Sequence, residues 1–136
     1  MKIEDLKKGF FVDEDALKAR LEAIVVRARE YCKIGREGHV IITSPDLSTV
    51  GQIKLILAAR AIASQLDSSI PAEVTVAEIA AYTGLPANQI RARGMDAIKS
   101  RFAESTKRGV YRAYPHKVEA FFEELARSDK AKIASA

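Results

Sequence analysis

Apolar residues recur at helical spacing in two long stretches of the chain. Between residues 13 and 33 they fall on one face, at Leu17, Leu21, Ile24, Ala28 and Cys32. This spacing predicts an amphipathic helix of about 20 residues. Residues 49–66 (TVGQIKLILAARAIASQL) are instead apolar on nearly all sides, above all in the second half. Such a pattern predicts a helix buried at the centre of a small domain.

Short extended segments and helix caps are predicted around these helices. The β-branched run at residues 39–43 (HVIIT) indicates a strand, and Ser48 is the predicted N-cap of the central helix. Residues 73–76 form a brief extended piece that could pair with a later hairpin. Thr75 and Glu78 have the spacing of a capping box, in which each side chain binds the backbone N–H of the other residue.

A pair of shorter helices is predicted in the middle of the chain, over residues 76–82 and 86–100. Gly84 can adopt the positive φ that ends a helix and reverses the chain. Pro86 suits the first turn of the second helix, because its missing N–H would have no partner there. Leu85 then lies between the two helices as an apolar plug. The spacing therefore predicts two helices that cross steeply at a tight turn.

A hairpin and a closing helix complete the predicted elements. Residues 101–105 and 110–114 are short runs on either side of a Lys-Arg-Gly tip at 107–109, which is a hairpin signal. Residues 116–127 place four large apolar side chains on one face and predict a helix that packs back on the core. The polar, Ala-rich segment 128–136 is expected to be a frayed tail.

The order of these elements, with the motif AEIAAYTGLPANQIRARGMDAI, resembles the winged helix-turn-helix superfamily of transcriptional regulators. The predicted fold is mainly α, in the α+β class: a winged domain over residues 48–127 with a helix and short strand appended at 1–47. The resemblance implies a regulator that binds double-stranded DNA. In that superfamily the second helix of the pair, here 86–100, enters the major groove, and the hairpin, here 101–114, contacts the adjacent backbone.

The distribution of charge favours the same interpretation. The net charge is +4, yet residues 1–47 contain nine basic and nine acidic residues. Residues 86–117 contain eight basic residues against two acids, so the positive excess is on the predicted second helix and hairpin. A local excess of this kind is the electrostatic footprint of a polyanion-binding surface.

A helical projection assigns roles to individual side chains. Ala87, Ile90, Gly94, Ala97 and Ile98 fall on the core side, and the opposite side is polar. Asn and Gln can bind an adenine edge and Arg a guanine edge, whereas Lys and Arg at a hairpin tip suit phosphates. The predicted DNA-binding residues are Asn88, Gln89, Arg91, Arg93, Lys99, Lys107, Arg108 and Arg112.

Two residues depart from the common helix-turn-helix pattern. Gly94 stands where a large apolar residue is common, and it is expected to let the central helix approach closely. Asp96 places an acid on the helix meant for DNA and should repel phosphates. On the hairpin, Arg101 could pair with Glu104. Tyr111 and Tyr114 are expected to cover the core while Arg112 stays outside, with base stacking as the alternative.

Other classes of function find little in the sequence. No apolar run approaches the roughly 18 residues that span a bilayer, and the acidic start is unlike a signal peptide, so a cytoplasmic protein is expected. A single cysteine and two isolated histidines predict neither a disulfide nor a metal site, and Cys32, His39 and His116 are expected to be structural. Without a phosphate-binding loop or a catalytic motif, we expect neither an enzyme nor a bound cofactor.

The identity of the partner stays open at this point. A winged module can also bind a protein, and the same basic face could bind RNA. We further expect a homodimer, because the long amphipathic helix at 13–33 needs an apolar partner and two-fold symmetry would present two recognition helices to successive half-sites. The alternative is that this helix folds back on its own domain together with the strand at 39–43.

Overall fold

The computed structural model describes residues 1–11 and 13–135, with side chains as far as residue 129. This part of the chain is mainly helical, at 62%, with small antiparallel sheets, which confirms the predicted α+β class. The helices are α1 (Ile3–Phe10), α2 (Glu14–Ala28), α3 (Thr49–Leu66), α4 (Val76–Thr83), α5 (Ala87–Lys99) and α6 (Pro115–Ser135). The strands are β1 (Cys32–Ile34), β2 (Val40–Ile42), β3 (Val74–Thr75), β4 (Ala103–Lys107) and β5 (Val110–Ala113).

The central helix α3 has the predicted bounds and forms the middle of the core. Its residues 55–59 are all buried, so every side of the helix meets another element there. α5, β5, α6 and the β1–β2 hairpin all pack against it. The predicted cap is confirmed, since the Ser48 hydroxyl accepts a hydrogen bond from the Gly51 N–H at 3.1 Å. A helix that is apolar nearly all round thus becomes the axis of the domain.

The first amphipathic helix is shorter than predicted. The Asp13 carboxylate caps α2 by accepting from the backbone N–H groups of Asp15 and Ala16. The helix ends at Ala28, not at residue 33, and the residues beyond it form β1. β1 pairs antiparallel with β2, with Cys32 opposite Ile42. The helical spacing of Cys32 was misleading. The backbone of β2 requires a hydrogen-bonded neighbour, and β1 is that neighbour, so tertiary pairing overrides the local helical pattern.

A second sheet joins the extended piece to the hairpin as predicted. Its strand order is β3-β5-β4, with Val74 opposite Tyr111. The capping box of Thr75 and Glu78 is present, and Gly84 ends α4 at a φ of 75°. Pro86 is the N-cap of α5, one residue before the helix begins, so the predicted start at Pro86 is one residue early.

The closing helix α6 is longer than predicted. Val118, Phe121 and Phe122 are buried in the core, as its apolar face indicates. The helix continues to Ser135, so the segment expected to be a frayed tail is helical; Ala136 lies outside the described residues. The extension is anchored at its start by Asp129, whose carboxylate accepts a hydrogen bond from the Tyr31 hydroxyl at 2.9 Å. Its many Ala and Lys residues also favour helix.

The N-terminal helix α1 has no counterpart among the predicted elements. None of its residues is buried. No helix in the part of the chain that the structure describes is long and apolar enough to cross a membrane.

Candidate nucleic-acid interface

The outward face of α5 is set by the residues that hold the helix on the core. Ile90, Gly94 and Ala97 are buried, as the projection predicts. Ile98 is half-buried, whereas Ala87 is exposed and does not belong to the core side. Helix ends protrude beyond the packed centre, which explains why the first residue of α5 departs from the pattern. The opposite face of α5 remains open to solvent.

Tyr111 of the hairpin is the side chain nearest to Gly94, which lies on a helix that also packs against α3. A Cβ at this position would lie 3.0 Å from Cζ of Tyr111, which is on β5. α3 does pack against α5, but the space beside Gly94 itself is filled by this side chain of β5 and not by α3 as expected. Tyr111 is only 5% exposed and covers the core, as predicted. Because an aromatic side chain occupies the space beside Gly94, the position of β5 relative to α5 is fixed by close packing.

The two strands of the hairpin carry an ion pair that differs from the predicted one. Glu104 lies opposite Arg112 in the β4–β5 register, and the Arg112 guanidinium donates to the Glu104 carboxylate. Directly opposed residues on one sheet face are neighbours, whereas Arg101 lies before β4 in the left-handed region, at a φ of 63°. The predicted pair of Arg101 with Glu104 is therefore wrong. Arg112 is exposed, but its charge is partly compensated.

The tip of the hairpin is fixed through its backbone. Gly109 adopts a φ of 75°, and its carbonyl accepts from the Val76 N–H at 3.0 Å. The Ser105 hydroxyl donates to the Lys107 carbonyl at 2.7 Å. Lys107 and Arg108 are nevertheless exposed. The tip thus presents two cationic side chains to solvent from a backbone tied to the start of α4.

The polar side chains of α5 differ in whether they already make hydrogen bonds or ion pairs within the protein. The Asn88 side-chain oxygen accepts from the Gln89 N–H at 2.9 Å, and the Gln89 amide donates to the Thr49 hydroxyl at 3.4 Å. Arg93 pairs with Asp96 at 3.0 Å, so the acid that seemed out of place neutralises a neighbour on its own helix. Arg91 is exposed. The predicted base-reading residues at the start of α5 are therefore exposed, but two of them already make hydrogen bonds within the protein.

The two acidic residues of the segment 86–117 each form an ion pair with an arginine. Asp96 pairs with Arg93 and Glu104 with Arg112. Six of the eight basic residues in this segment make no ion pair with any side chain that the structure describes: Arg91, Lys99, Arg101, Lys107, Arg108 and Lys117. The positive excess is therefore not neutralised within this part of the protein.

Arg60, outside the predicted site, fixes the start of α4 to the central helix. It is 1% exposed, and its guanidinium donates to the Glu78 carboxylate at 2.7 Å and to the Tyr82 hydroxyl at 3.2 Å. It also donates to the carbonyls of Pro71, Gly38 and Glu73. A buried charge needs such partners. The signal in the sequence is the single arginine inside the apolar run of α3, which implies an acidic partner nearby.

The same contact controls the ionisation of Glu78. Burial acts to raise the pKa of this carboxyl, but the hydrogen bond from Arg60 and the capping bond from Thr75 outweigh it and lower the pKa. Glu78 therefore stays ionised while it caps α4. One carboxylate joins the capping box to the buried arginine, and this holds the helix pair on the core.

The cysteine and the two histidines pack against core or aromatic residues. Cys32 is buried, and burial raises the pKa of its thiol to about 11, so it is an unreactive core residue as predicted. The His39 ring lies 4.5 Å from that of Tyr82, and His116 lies 5.7 Å from Tyr114. Within the described ranges, no cluster of three or more His, Cys, Asp or Glu side chains could hold a metal ion.

No family model, curated protein or solved structure matches the chain. The functional argument therefore depends on the geometry and charge of the surface formed by α5 and the β4–β5 hairpin.

Proposed function

We propose that the protein binds double-stranded DNA as a winged helix-turn-helix, with α5 in the major groove and the β4–β5 hairpin on the adjacent backbone. One observation carries this proposal: α5 and the hairpin, with the residues that flank them, hold six basic residues without an acidic partner among the described side chains, while both local acids are already paired. Such a surface attracts a polyanion and releases the counterions that surround it.

The arrangement of elements supports the choice of double-stranded DNA. The order α3, β3, α4, α5, β4, β5 and the sheet order β3-β5-β4 are those expected of a winged domain. α4 and α5 meet at the left-handed turn of Gly84, and α5 exposes the face opposite its buried one. An α-helix exposed at the surface in this way fits into the major groove of DNA.

The two elements would have different tasks. Lys107 and Arg108 extend from the hairpin tip as point charges, which suits phosphates. Asn88, Gln89 and Arg91 lie in the first turns of α5, where residues of a recognition helix meet base edges. Asn88 and Gln89 would exchange their hydrogen bonds within the protein for bonds to the bases. We propose a role in transcription regulation on this basis.

The salt dependence of binding tests the proposal. We expect the double variant Lys107→Ala/Arg108→Ala to bind all duplex sequences more weakly. The slope of log affinity against log salt should flatten by about one unit for each phosphate that is no longer neutralised. The measurement is fluorescence polarisation on a random-sequence duplex over a salt series. The matched control is Arg27→Ala/Arg36→Ala, which removes the same charge from exposed positions outside α5 and the hairpin.

Two other outcomes would redirect the proposal. If the hairpin variant keeps the affinity and slope of the parent, the basic surface does not bind DNA, and a protein partner becomes the better explanation. If structured RNA displaces the duplex more effectively than unlabelled duplex does, the same surface binds RNA. Selection from a random DNA pool, followed by sequencing, would show whether Arg91→Ala relaxes sequence preference, by about 1–3 kcal/mol per base contact.

A further inference from the structure

The N-terminal helix α1 has an apolar face that is largely exposed. Ile3, Leu6 and Phe10 recur at helical spacing, so they share one side of the helix. They are 72%, 54% and 85% exposed. Within the described residues, no hydrogen bond or ion pair joins 1–11 to the rest of the chain. A helix of eight residues is marginal in water by itself, so α1 requires a surface to pack on.

An apolar groove of matching character lies between α2, β1 and the second half of α3. It contains a cavity of about 480 Å³, lined among others by Val25, Ala28, Cys32, Ile34, Ile62 and Leu66. A second cavity of about 400 Å³ shares Val25, Arg29 and Leu66 with the first, so the groove continues along α2. Leu66 is 62% exposed and Val26 53%. Contiguous exposed apolar surface of this kind marks an interaction site.

We propose that α1 of a second copy of this chain docks in this groove, and that the two copies exchange their N-terminal helices reciprocally. The apolar face of α1 would enter as an amphipathic helix enters a groove, with Leu6 and Phe10 as anchors. Reciprocity follows from two-fold symmetry, in which both copies contribute the same two surfaces.

The length of the chain favours a second copy over the protein's own α1. α1 ends at Phe10, close to Asp13 at the beginning of α2. Val25 lies roughly 18 Å further along α2, whereas α1 is only about 12 Å long. If α1 folded back along α2, it would extend only about as far as Leu21, so it could lie on the second cavity at Lys18 and Leu21 but not in the first, which reaches Ile34 and Ile62. A helix from another copy can place its whole apolar face there.

Charge and area favour the same occupant. α1 has Glu4 and Asp5 in its first turn, and the rim of the groove has Arg29 and Lys33. None of these four forms an ion pair with another described side chain. A single eight-residue helix in one groove is small beside the roughly 1,200 Å² of a stable interface. Reciprocal docking doubles the buried area and brings opposite charges together at both ends of the dimer.

This association is separate from nucleic-acid binding, because it uses neither α5 nor the β4–β5 hairpin. Sedimentation velocity of the full chain over a concentration series tests it. We expect a dimer for the parent protein and a monomer for Leu6→Glu/Phe10→Glu. Leu66→Glu should also be monomeric, since it changes the groove instead of the helix. Lys8→Ala, on the polar side of α1, is the matched control and should remain dimeric.

The side chains changed in these variants are all exposed, so the fold should survive, and circular dichroism with thermal unfolding checks that it does. A photoreactive phenylalanine at position 10, in a mixture of isotopically light and heavy chains, identifies the groove that is occupied. We expect cross-links between copies to residues 25–34 or 59–70. A monomeric parent, a dimer that persists in the α1 variant, or cross-links confined to one chain would each overturn the proposal. The Lys107→Ala/Arg108→Ala variant should stay dimeric, so failure of DNA binding and failure of dimerisation are read separately.

Discussion

At the scale of the residue, Arg60 joins the central helix α3 to three other segments of the fold. Its guanidinium reaches the turn before β2 through Gly38, the segment before β3 through Pro71 and Glu73, and α4 through Glu78. A fully buried guanidinium with five acceptors is costly to desolvate, but its bonds have defined directions. Apolar contacts alone would hold α4 on α3 without fixing its rotation as narrowly.

We expect Arg60→Met to lower the free energy of unfolding by roughly 3 kcal/mol, because it leaves the Glu78 carboxylate and buried carbonyls without their donor. Urea unfolding measures the change. Lys54→Met is the matched control on the same helix. Among the described side chains, the Lys54 ammonium makes a cation–π interaction alone, 5.5 Å from the Phe102 centroid, and removing it should cost about 1 kcal/mol or less. Equal effects of the two substitutions would show that the Arg60 network adds nothing to stability.

At the scale of the element, α5 and the β4–β5 hairpin each contain one acid that neutralises one arginine. On α5 this is Asp96, which holds Arg93 at 3.0 Å. Both side chains are nearly half exposed, so the pair adds little to stability, and its main effect is on the charge that the helix presents. Asp96 therefore partly determines how many basic side chains of α5 are available to a polyanion.

Asp96→Asn should tighten binding to random-sequence duplex, because it removes a negative charge and releases Arg93 to contact a phosphate. The salt slope should steepen by about one unit if Arg93 neutralises one more phosphate. The same polarisation assay measures both quantities, with Glu123→Gln on α6 as a control that changes the net charge equally. Binding no tighter than that of the parent would mean that Arg93 does not face the nucleic acid.

At the scale of the whole molecule, the end of α2 is tied to α6 by the bond from Tyr31 to Asp129. Burial, with the hydrogen bond to Asp129, raises the pKa of Tyr31 from 10.0 to about 12. The folded state thus favours the protonated phenol. The stabilisation that the raised pKa of Tyr31 contributes is complete below the unfolded pKa of 10.0. It is lost as the pH rises through the folded pKa of about 12.

We therefore expect the urea midpoint of the protein to fall between pH 10.0 and about 12. Tyr31→Phe should be less stable at neutral pH and should show a shallower decline over the same interval. Some decline will remain in that variant, since burial and Glu78 also raise the pKa of Tyr82. An identical decline in both proteins would show that Tyr31 does not couple α2 to α6.

The sequence by itself determined the elements whose local signals and tertiary surroundings agree. α3 has its predicted bounds because a helix apolar on every side can be stable only at the centre of a core. The capping box at Thr75 and the left-handed Gly84 follow from side-chain chemistry over a few residues. The exposed basic face of α5 follows from the spacing of Ile90, Gly94 and Ala97.

Only the tertiary structure decided which distant residues meet. Cys32 continues a helical pattern, yet pairing with Ile42 makes it a strand residue. Asp96 and Glu104 are acids in a basic segment, and only their positions beside Arg93 and Arg112 show that each is already paired. A local pattern specifies the face of a helix through its own periodicity. Which residues pack against that face depends on how separate elements come together. This holds for the side chain beside Gly94 and for the groove along α2.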